Sequence, residues 1–385
     1  PKLTVDVETT GLKLTDAIIT IAFAWDKHNG IAIDIRETGY WNVKEFLVNY
    51  SGTLIMHNAL FDAKLMISNW WMETETDYKG MQQGLDVFET VDDTMLLAYL
   101  AKNSTTTVDL GLKGNSIEYV GNYALDVADA TKHAQKDLLK YNLIDTLATW
   151  FVYDKYEAQI DSEAYVEIFQ PSIKPILKMM LVGLPLDQEV VECAYTQLDK
   201  EEAQLRKSLQ ASDIVQTANL SFQEEAMHAA NAKLKTKVKP IEDFIEIKFN
   251  PGSGKQVATI LHTHLDLPIL DKTDGGSPAT DAKTLKKLIN HTDNPEAVTL
   301  IESILKISEI SKITGTFLKA FKAGGDFLHG NLKLGGTQSG RLSSNSPNLT
   351  NLPAQGKMGK LIKSCVVAPE GFLFAGADYN ALEAR

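Results

Sequence analysis

Apolar and polar positions along the chain change rhythm twice. Up to about residue 155, runs with a two-residue period are interleaved with runs of helical period. "KLTVDVETTGL" and "AIITIAFAW" alternate, are β-rich and flank a short polar turn, which predicts an N-terminal hairpin. "GTLIMHNALFDAKLMI" reads as a short strand running into a helix. "DDTMLLAYLAK" and "AQKDLLKYNLIDTLATWFVYDKY" carry helical periodicity. From about 160 to 335 the pattern turns mostly helical. "SIKPILKMMLVGLPLD" ends in a Gly-Leu-Pro turn that leaves Asp187 placed to cap the next helix, the amphipathic and charge-laced "QEVVECAYTQLDKEEAQLRKSLQ". "ESILKISEISKITGTFLKAF" predicts another long helix, and the polar stretch from about 211 to 250 has no assignable period. Beyond Gly335, Gly, Ser, Asn and Pro dominate, and "FLFAGADYNALEAR" predicts an apolar strand ending in Asp-Tyr. The chain therefore reads as an α/β part, a mainly helical part and the beginning of an α+β part.

Composition narrows the class without naming it. Of 385 residues, 44% are hydrophobic and 23% charged, which suits two or three globular domains. No apolar run approaches the ~20 residues of a membrane span, and no signal-peptide pattern opens the chain. Cys193 and Cys365 lie far apart, so neither a disulfide framework nor a cysteine zinc site is suggested, and a reducing, cytoplasmic setting is expected. The net charge of −12 argues against a simple basic nucleic-acid coat. A nucleic-acid site would need locally concentrated positive charge or bound metal.

Asp6 and Glu8 lie two apart on the first strand and so point the same way, where like charges repel. An isolated Asp-x-Glu reads as a solvent-facing strand edge. "HNALFD" adds Asn58 and Asp62, four apart on one face of a helix start, and "YNLID" adds Tyr141 and Asp145, four apart on a later helix. In this order and spacing the set resembles the three signature motifs of the 3′–5′ proofreading exonucleases: Asp-x-Glu-Thr, Asn-x-x-x-Asp and Tyr-x-x-x-Asp. The tyrosine marks the tyrosine branch of that family, since His133 has the wrong spacing for the histidine branch. The resemblance covers about the first 150 residues and implies a ribonuclease-H-like sheet. It implies that Asp6, Glu8, Asp62 and Asp145 carry two Mg²⁺ or Mn²⁺ ions, with Asp6 bridging both. Two such ions about 3.5–4 Å apart can clamp the attacking and leaving oxygens of a phosphodiester. Tyr141 would orient the attacking water, and Thr9 and Leu12 would touch the terminal nucleotide, the leucine by wedging against a base.

"TQSGRLSSNSPNLTNLP" resembles the Thr-x-x-Gly-Arg-Leu-Ser-Ser segment of the family A DNA polymerases, and "DYNALEAR" resembles that family's motif A. The resemblance implies that Asp378 and the backbone carbonyl of Tyr379 bind metal for nucleotidyl transfer. Glu383 would lie under the incoming sugar, Arg341 would contact the primer-terminal minor groove, and Arg385 joins the substrate-binding set. Asn380, Ala381 and Ala384 depart from the usual motif, which implies a tuned nucleotide pocket. The stretch 335–363 holds Arg341, Lys357, Lys360 and Lys363 and no acidic residue, a local positive strip suited to DNA.

"FNPGSGKQVATILHTHLDLPILDKTDGGSPATDAKTLKKL" is similar to the thumb of that family. The expected domains are an exonuclease over 1–158, a thumb over 159–334 and the first part of a palm over 335–385. At 211–250 both a partner-binding loop for a processivity factor and a solvated elaboration of the thumb tip fit. The expected partners are primer-template DNA, a single-stranded 3′ end and dNTP. Because the sequence stops inside motif A, it is expected either to be a piece of a longer polymerase or to pair with a second polypeptide carrying the fingers and remaining palm. The early start of the catalytic strand fits phage polymerases. Two rivals remain: a DNA-binding or docking subunit with an inactive nuclease site, and a ribonuclease-D-like RNA-trimming enzyme.

Overall fold

The computed structural model describes residues 1–102, 109–121, 134–234, 238–353 and 355–378. Five strands, β1 (Lys2–Thr9), β2 (Ile18–Ala24), β3 (Gly30–Asp34), β4 (Thr53–Met56) and β5 (Val91–Asp93), form one mixed sheet in the order β3-β2-β1-β4-β5. The expected hairpin is present: β1 runs antiparallel to β2, from Thr4 opposite Ala24 to Glu8 opposite Thr20, with a register shift between Glu8 and Thr9. The β1–β4 and β4–β5 pairs are parallel. Parallel neighbours require crossover connections, and helices supply them. α1 (Ile35–Thr38) and α2 (Trp41–Asn49) lead into β4, and α3 (Ala59–Trp70) and α4 (Tyr78–Val87) lead into β5. α5 (Thr94–Ala101), α6 (Leu112–Val120), α7 (Gln135–Lys155) and α8 (Gln170–Val182) follow. All seven residues of β2 are buried, the continuous apolar run of a strand covered on both faces.

The chain forms two compact units. The first comprises Pro1–Leu186, Asp326–Leu352 and the described residues from Ala368 onward; the second comprises Asp187–Gly325 and 353–367. In the first, Val5, Ile21, Ile55 and Phe88 share one core with Tyr165, Phe169, Leu177 and Leu181. The apolar face of α8 thus buries against the same core as the sheet, so the compact units cross the functional limits expected at 158/159 and 334/335. Short pairs β6 (Leu184–Pro185) with β7 (Phe327–Leu328), and β8 (Asn331–Lys333) with β9 (Ser343–Asn345), complete this unit. Gly183 ends α8 at φ 70°, a left-handed turn where a Cβ would lie 2.9 Å from the His329 ring.

The second unit is helical: α9 (Gln188–Gln210), α10 (Asp213–Asn231), α11 (Gly254–Thr259), α12 (Ala282–Leu288), α13 (Pro295–Lys312), α14 (Lys319–Gly324) and α15 (Gly356–Ser364). Asp187 caps α9 as its position predicts, accepting from the backbone N–H of Glu189 and Val190. A π-helical segment, Ile313–Leu318, separates α13 from α14 within the run expected as one helix.

One stretch without an assignable period contains a helix, and one expected strand is corrected. The stretch 211–250 opens with α10, capped by Ser212, whose Val215, Ala218 and Phe222 enter the core with Phe249, Ile260 and Ile304. One seam of this helix enters the core while much of its remaining surface is exposed; the apolar seam is narrow and partly alanine, which hides its period. Residues 372–378 form no strand, and Phe372, Leu373 and Phe374 are exposed. β-propensity needs a paired neighbour to be realised, and no described strand hydrogen-bonds to this run. No helix among the described residues is long and apolar enough to cross a membrane.

The α10 seam gives a direct expectation. Phe222→Ala should destabilise the second unit by about 3–5 kcal/mol in denaturant unfolding. Leu220→Ala, at a side chain 57% exposed on the same helix, should stay within about 0.5 kcal/mol.

Candidate active site

β1 places the first two carboxylates by strand alternation. Val5 and Val7 are buried in the core, while Thr4 and Asp6 face α7. Thr4 Oγ1 donates to the Thr146 carbonyl at 3.1 Å, and Asn142 Nδ2 donates to Asp6 Oδ2 at 2.6 Å. The same helix carries Tyr141 and Asp145 one turn apart, with a hydrogen bond between their side chains. Asp6, Glu8 and Asp145 each offer a carboxylate oxygen, all within 4.8 Å of one another. Asp62, in the first turn of α3 and 4% exposed, interacts electrostatically with Glu8, Asp145 and Asp6. Three of the four acidic residues picked out along the sequence therefore lie within 4.8 Å of one another, and Asp62 is near enough for its charge to act on them.

Asn58 differs from its expected position. It lies just ahead of α3, in the left-handed region at φ 66° and ψ 53°, and its side chain makes no cap bond. The cap comes from Asp93, whose carboxylate accepts from the N–H of Asn58 and of Ala59, each at 2.9 Å. A helix-face pattern could not show this, because the capping side chain comes from another strand.

The electrostatics are those of crowded, desolvated acids. Burial, then the charges of Asp62, Asp145 and Glu8, hold Asp6 well above the usual carboxylate range; its bond from Asn142 opposes this. Glu8 is pushed up to about 7 by burial and by Asp145, with Lys113 pulling it down. Burial and its acidic neighbours also raise Asp62 strongly. Tyr141 is driven upward by burial and by Asp145, so its hydroxyl stays protonated across the physiological range. Lys113 Nζ lies 4.9 Å from the centroid of the Tyr141 ring.

Hard oxygen donors in excess, with partial burial and mutual repulsion, are what a divalent cation such as Mg²⁺ or Mn²⁺ requires, and Asp6, Glu8 and Asp145 fit that role. Asn142 and Lys113 had no part in the sequence reading. Asn142 was legible in principle, because it lies three residues before Asp145 and so on nearly the same helix face. Lys113 gave no such signal.

The other expected site residues are less assembled. Thr9 Oγ1 donates to the Gly11 carbonyl at 2.7 Å, and Leu12 is 73% exposed. Arg341 belongs to the first unit, in an exposed loop where Thr337 Oγ1 donates to its carbonyl at 2.8 Å. Lys357, Lys360 and Lys363 lie on α15 of the second unit, where Lys357 is 3.9 Å from Glu201. The positive strip is thus divided between the units. Asp378 is exposed, and Tyr379, Glu383 and Arg385 fall outside the described residues.

Comparison with known proteins places the C-terminal part of the chain. Residues 220–385 match the family "DNA polymerase family A". The chain is 27% identical over 311 residues to the thermostable DNA polymerase I of Thermus thermophilus, covering 80% of this chain and 31% of that protein. It is 27% identical over 402 residues to the DNA polymerase of Escherichia phage T5, covering 98% of this chain and 43% of that one. It therefore spans less than half the length of either relative. Among solved structures, the POL domain of Pol1 from M. smegmatis, in complex with DNA primer-template and dNTP, aligns with TM-score 0.67 and 17% identity over 97% of this chain and 56% of that one. That likeness concerns the fold.

The raised carboxylates fix the sign of a pH effect. Between the ordinary range near 4.5 and about 7, the folded protein keeps a proton at Glu8 that the unfolded chain has released, so rising pH removes stability. Asp6, itself held well above the usual carboxylate range, removes stability with the same sign as pH rises, so removing it should relieve part of this. In chelator, the Tm of Asp6→Ala should gain on wild type from pH 5 to pH 8, by roughly 5 °C, as thermal unfolding at the two pH values would read. Mn²⁺ should raise the wild-type Tm at pH 8 more than that of Asp6→Ala.

Proposed function

We propose that this chain, a relative of the family A DNA polymerases, comprises the 3′–5′ proofreading exonuclease, the thumb and the first part of the palm of such an enzyme. The observation that carries the reading is the convergence of Asp6, Glu8 and Asp145 within 4.8 Å, with Asp62 beside them and Tyr141 one helical turn from Asp145. The mixed sheet with flanking helices supports a ribonuclease-H-like architecture for this part.

In this reading Asp6, Glu8, Asp62 and Asp145 would hold two divalent ions. When bound, these supply Lewis-acid stabilisation for the attacking and leaving oxygens of a phosphodiester. The chain's own residues do the positioning. Asn142 holds one oxygen of Asp6, which fixes the carboxylate's rotation. The Tyr141 hydroxyl remains a proton donor and, tied to Asp145, orients the attacking water. Thr9 and the exposed Leu12 receive the 3′-terminal nucleotide. Water attacks phosphorus, the bond to the 3′-oxygen of the preceding nucleotide breaks, and a nucleoside 5′-monophosphate leaves. Arg341 and Asp378, with Tyr379, Glu383 and Arg385, belong to template-directed synthesis on primer-template DNA with dNTP.

The test is degradation of a 3′-labelled single-stranded DNA oligonucleotide with Mg²⁺ or Mn²⁺. Stepwise loss of 3′ nucleotides is expected, falling by at least about two orders of magnitude in Asp6→Ala. Wild-type protein that binds the oligonucleotide but cleaves it with neither metal would overturn the hydrolytic reading.

A further inference from the structure

The end of β5 places two aspartates side by side that the proposed chemistry does not use. Asp92 is buried with its Oδ2 accepting from Tyr153 Oη at 2.9 Å and its Oδ1 from Tyr165 Oη and Gln170 Nε2, each at 3.0 Å. Asp93 is 1% exposed, and its partners are backbone. Oδ1 accepts from the N–H of Asn58 and of Met95, and Oδ2 from the N–H of Ala59, each at 2.9 Å. One carboxylate therefore caps the starts of both α3 and α5. Asn58, held in this way, is a non-glycine residue in the left-handed region, a conformation that its own side chain does nothing to secure. Asp62 follows within the first turn of α3. The direction in which Asp62 leaves that turn depends on the Asn58 backbone, and the Asn58 backbone depends on Asp93.

A simpler structure would have capped α3 with its own Asn58 side chain, as Asp187 does for α9. Borrowing the cap from β5 fixes the turn to the sheet that also carries Asp6 and Glu8. We propose that Asp93 is a positioning residue of the hydrolytic site: by locking the left-handed turn at Asn58, it sets the placement of Asp62 relative to Asp6, Glu8 and Asp145. The role in catalysis rests on the exonuclease reading; the role in cation binding does not.

The test uses the whole chain and reads cation binding as well as activity. Mn²⁺ binding to metal-free protein is followed by the electron paramagnetic resonance of free Mn²⁺, below the Tm of every variant. Asp93→Asn and Asp93→Ser should weaken Mn²⁺ affinity by about ten- to a hundredfold, as loss of an outer-shell partner does, and lower kcat on the oligonucleotide while leaving KM near wild type. Serine retains one cap oxygen for α5, so it decides the matter if the asparagine variant does not fold. Asp92→Asn, which loosens the same strand end away from the carboxylates, should lower Tm and keep wild-type affinity. Glycine adopts positive φ readily, so adding Asn58→Gly to Asp93→Ser should restore part of the affinity; a loss that Asn58→Gly leaves untouched would trace to the negative charge Asp93 adds near Asp62 and would overturn the role. Folded Asp93 variants with wild-type Mn²⁺ affinity, or Asp92→Asn weakening it equally, would overturn the role. Wild-type protein that fails to cleave DNA while Asp93 variants still lose Mn²⁺ would overturn the exonuclease reading and leave the positioning role standing.

Discussion

Acidic side chains held together with partial burial are the constraint around which the first unit is built. For Asp6, Glu8 and Asp62, burial is the largest influence lifting their proton affinity, and the neighbouring acids add to it. Nothing about such a cluster stabilises the protein that carries it. It persists because the rest of the unit leaves the carboxylates nowhere else to go. β1 lies inside the sheet: Asp6 and Glu8 pair with Ala22 and Thr20 of β2, and the start of the same strand, Lys2–Thr4, is held by β4 on the other side. α7 is fixed across β1 by the Thr4–Thr146 bond, and the Tyr153 bond to Asp92 ties its far end to β5. Stability given up at the site is offset in the core of Ile21, Ile55, Phe88 and Leu177.

Much of this was legible in the sequence for an elementary reason. Where both the strand period and the helix period are strict, spacing alone says which side chains share a face. Asp6 and Glu8 on a strand and Tyr141 and Asp145 on a helix are such cases, and the structure groups them so. Asn58 and Asp62 had the same spacing but a different backbone, because Asn58 precedes the helix in a left-handed conformation. Spacing rules fail at helix starts, where one residue's φ decides the outcome. Asp93 was invisible for a related reason: a carboxylate that caps a turn from another strand obeys no periodicity. Lys113 is reached only through the fold, since its place over the Tyr141 ring follows from how α6 packs on α7.

The second unit shows the same division between local and non-local information. The Asp187 cap was readable because a cap is a local interaction between a side chain and the next few N–H groups. α10 was missed because its buried seam of Val215, Ala218 and Phe222 is thin and set among polar residues. Residues 372–378 have the composition of a strand without strand pairing. The family likeness over 220–385 is a likeness of sequence that the exposed Phe372–Phe374 run could not have suggested by its own conformation.

Raised proton affinities also determine how a cation would have to enter. A cluster in which Glu8 titrates near 7 and Asp6 and Asp62 hold their protons more tightly than usual offers a cation a partly protonated site at neutral pH. Binding must displace those protons, so apparent affinity rises with pH, and the same displacement returns stability that the crowded carboxylates remove. Ligand geometry must then be fixed before the ion arrives, since the repelling acids drive each other apart rather than into place. That requirement falls on neutral and backbone partners: the amide of Asn142 at Asp6, and the N–H groups gathered at Asp93 behind Asp62. Each secures a carboxylate or its backbone without neutralising the charge that a cation would recognise.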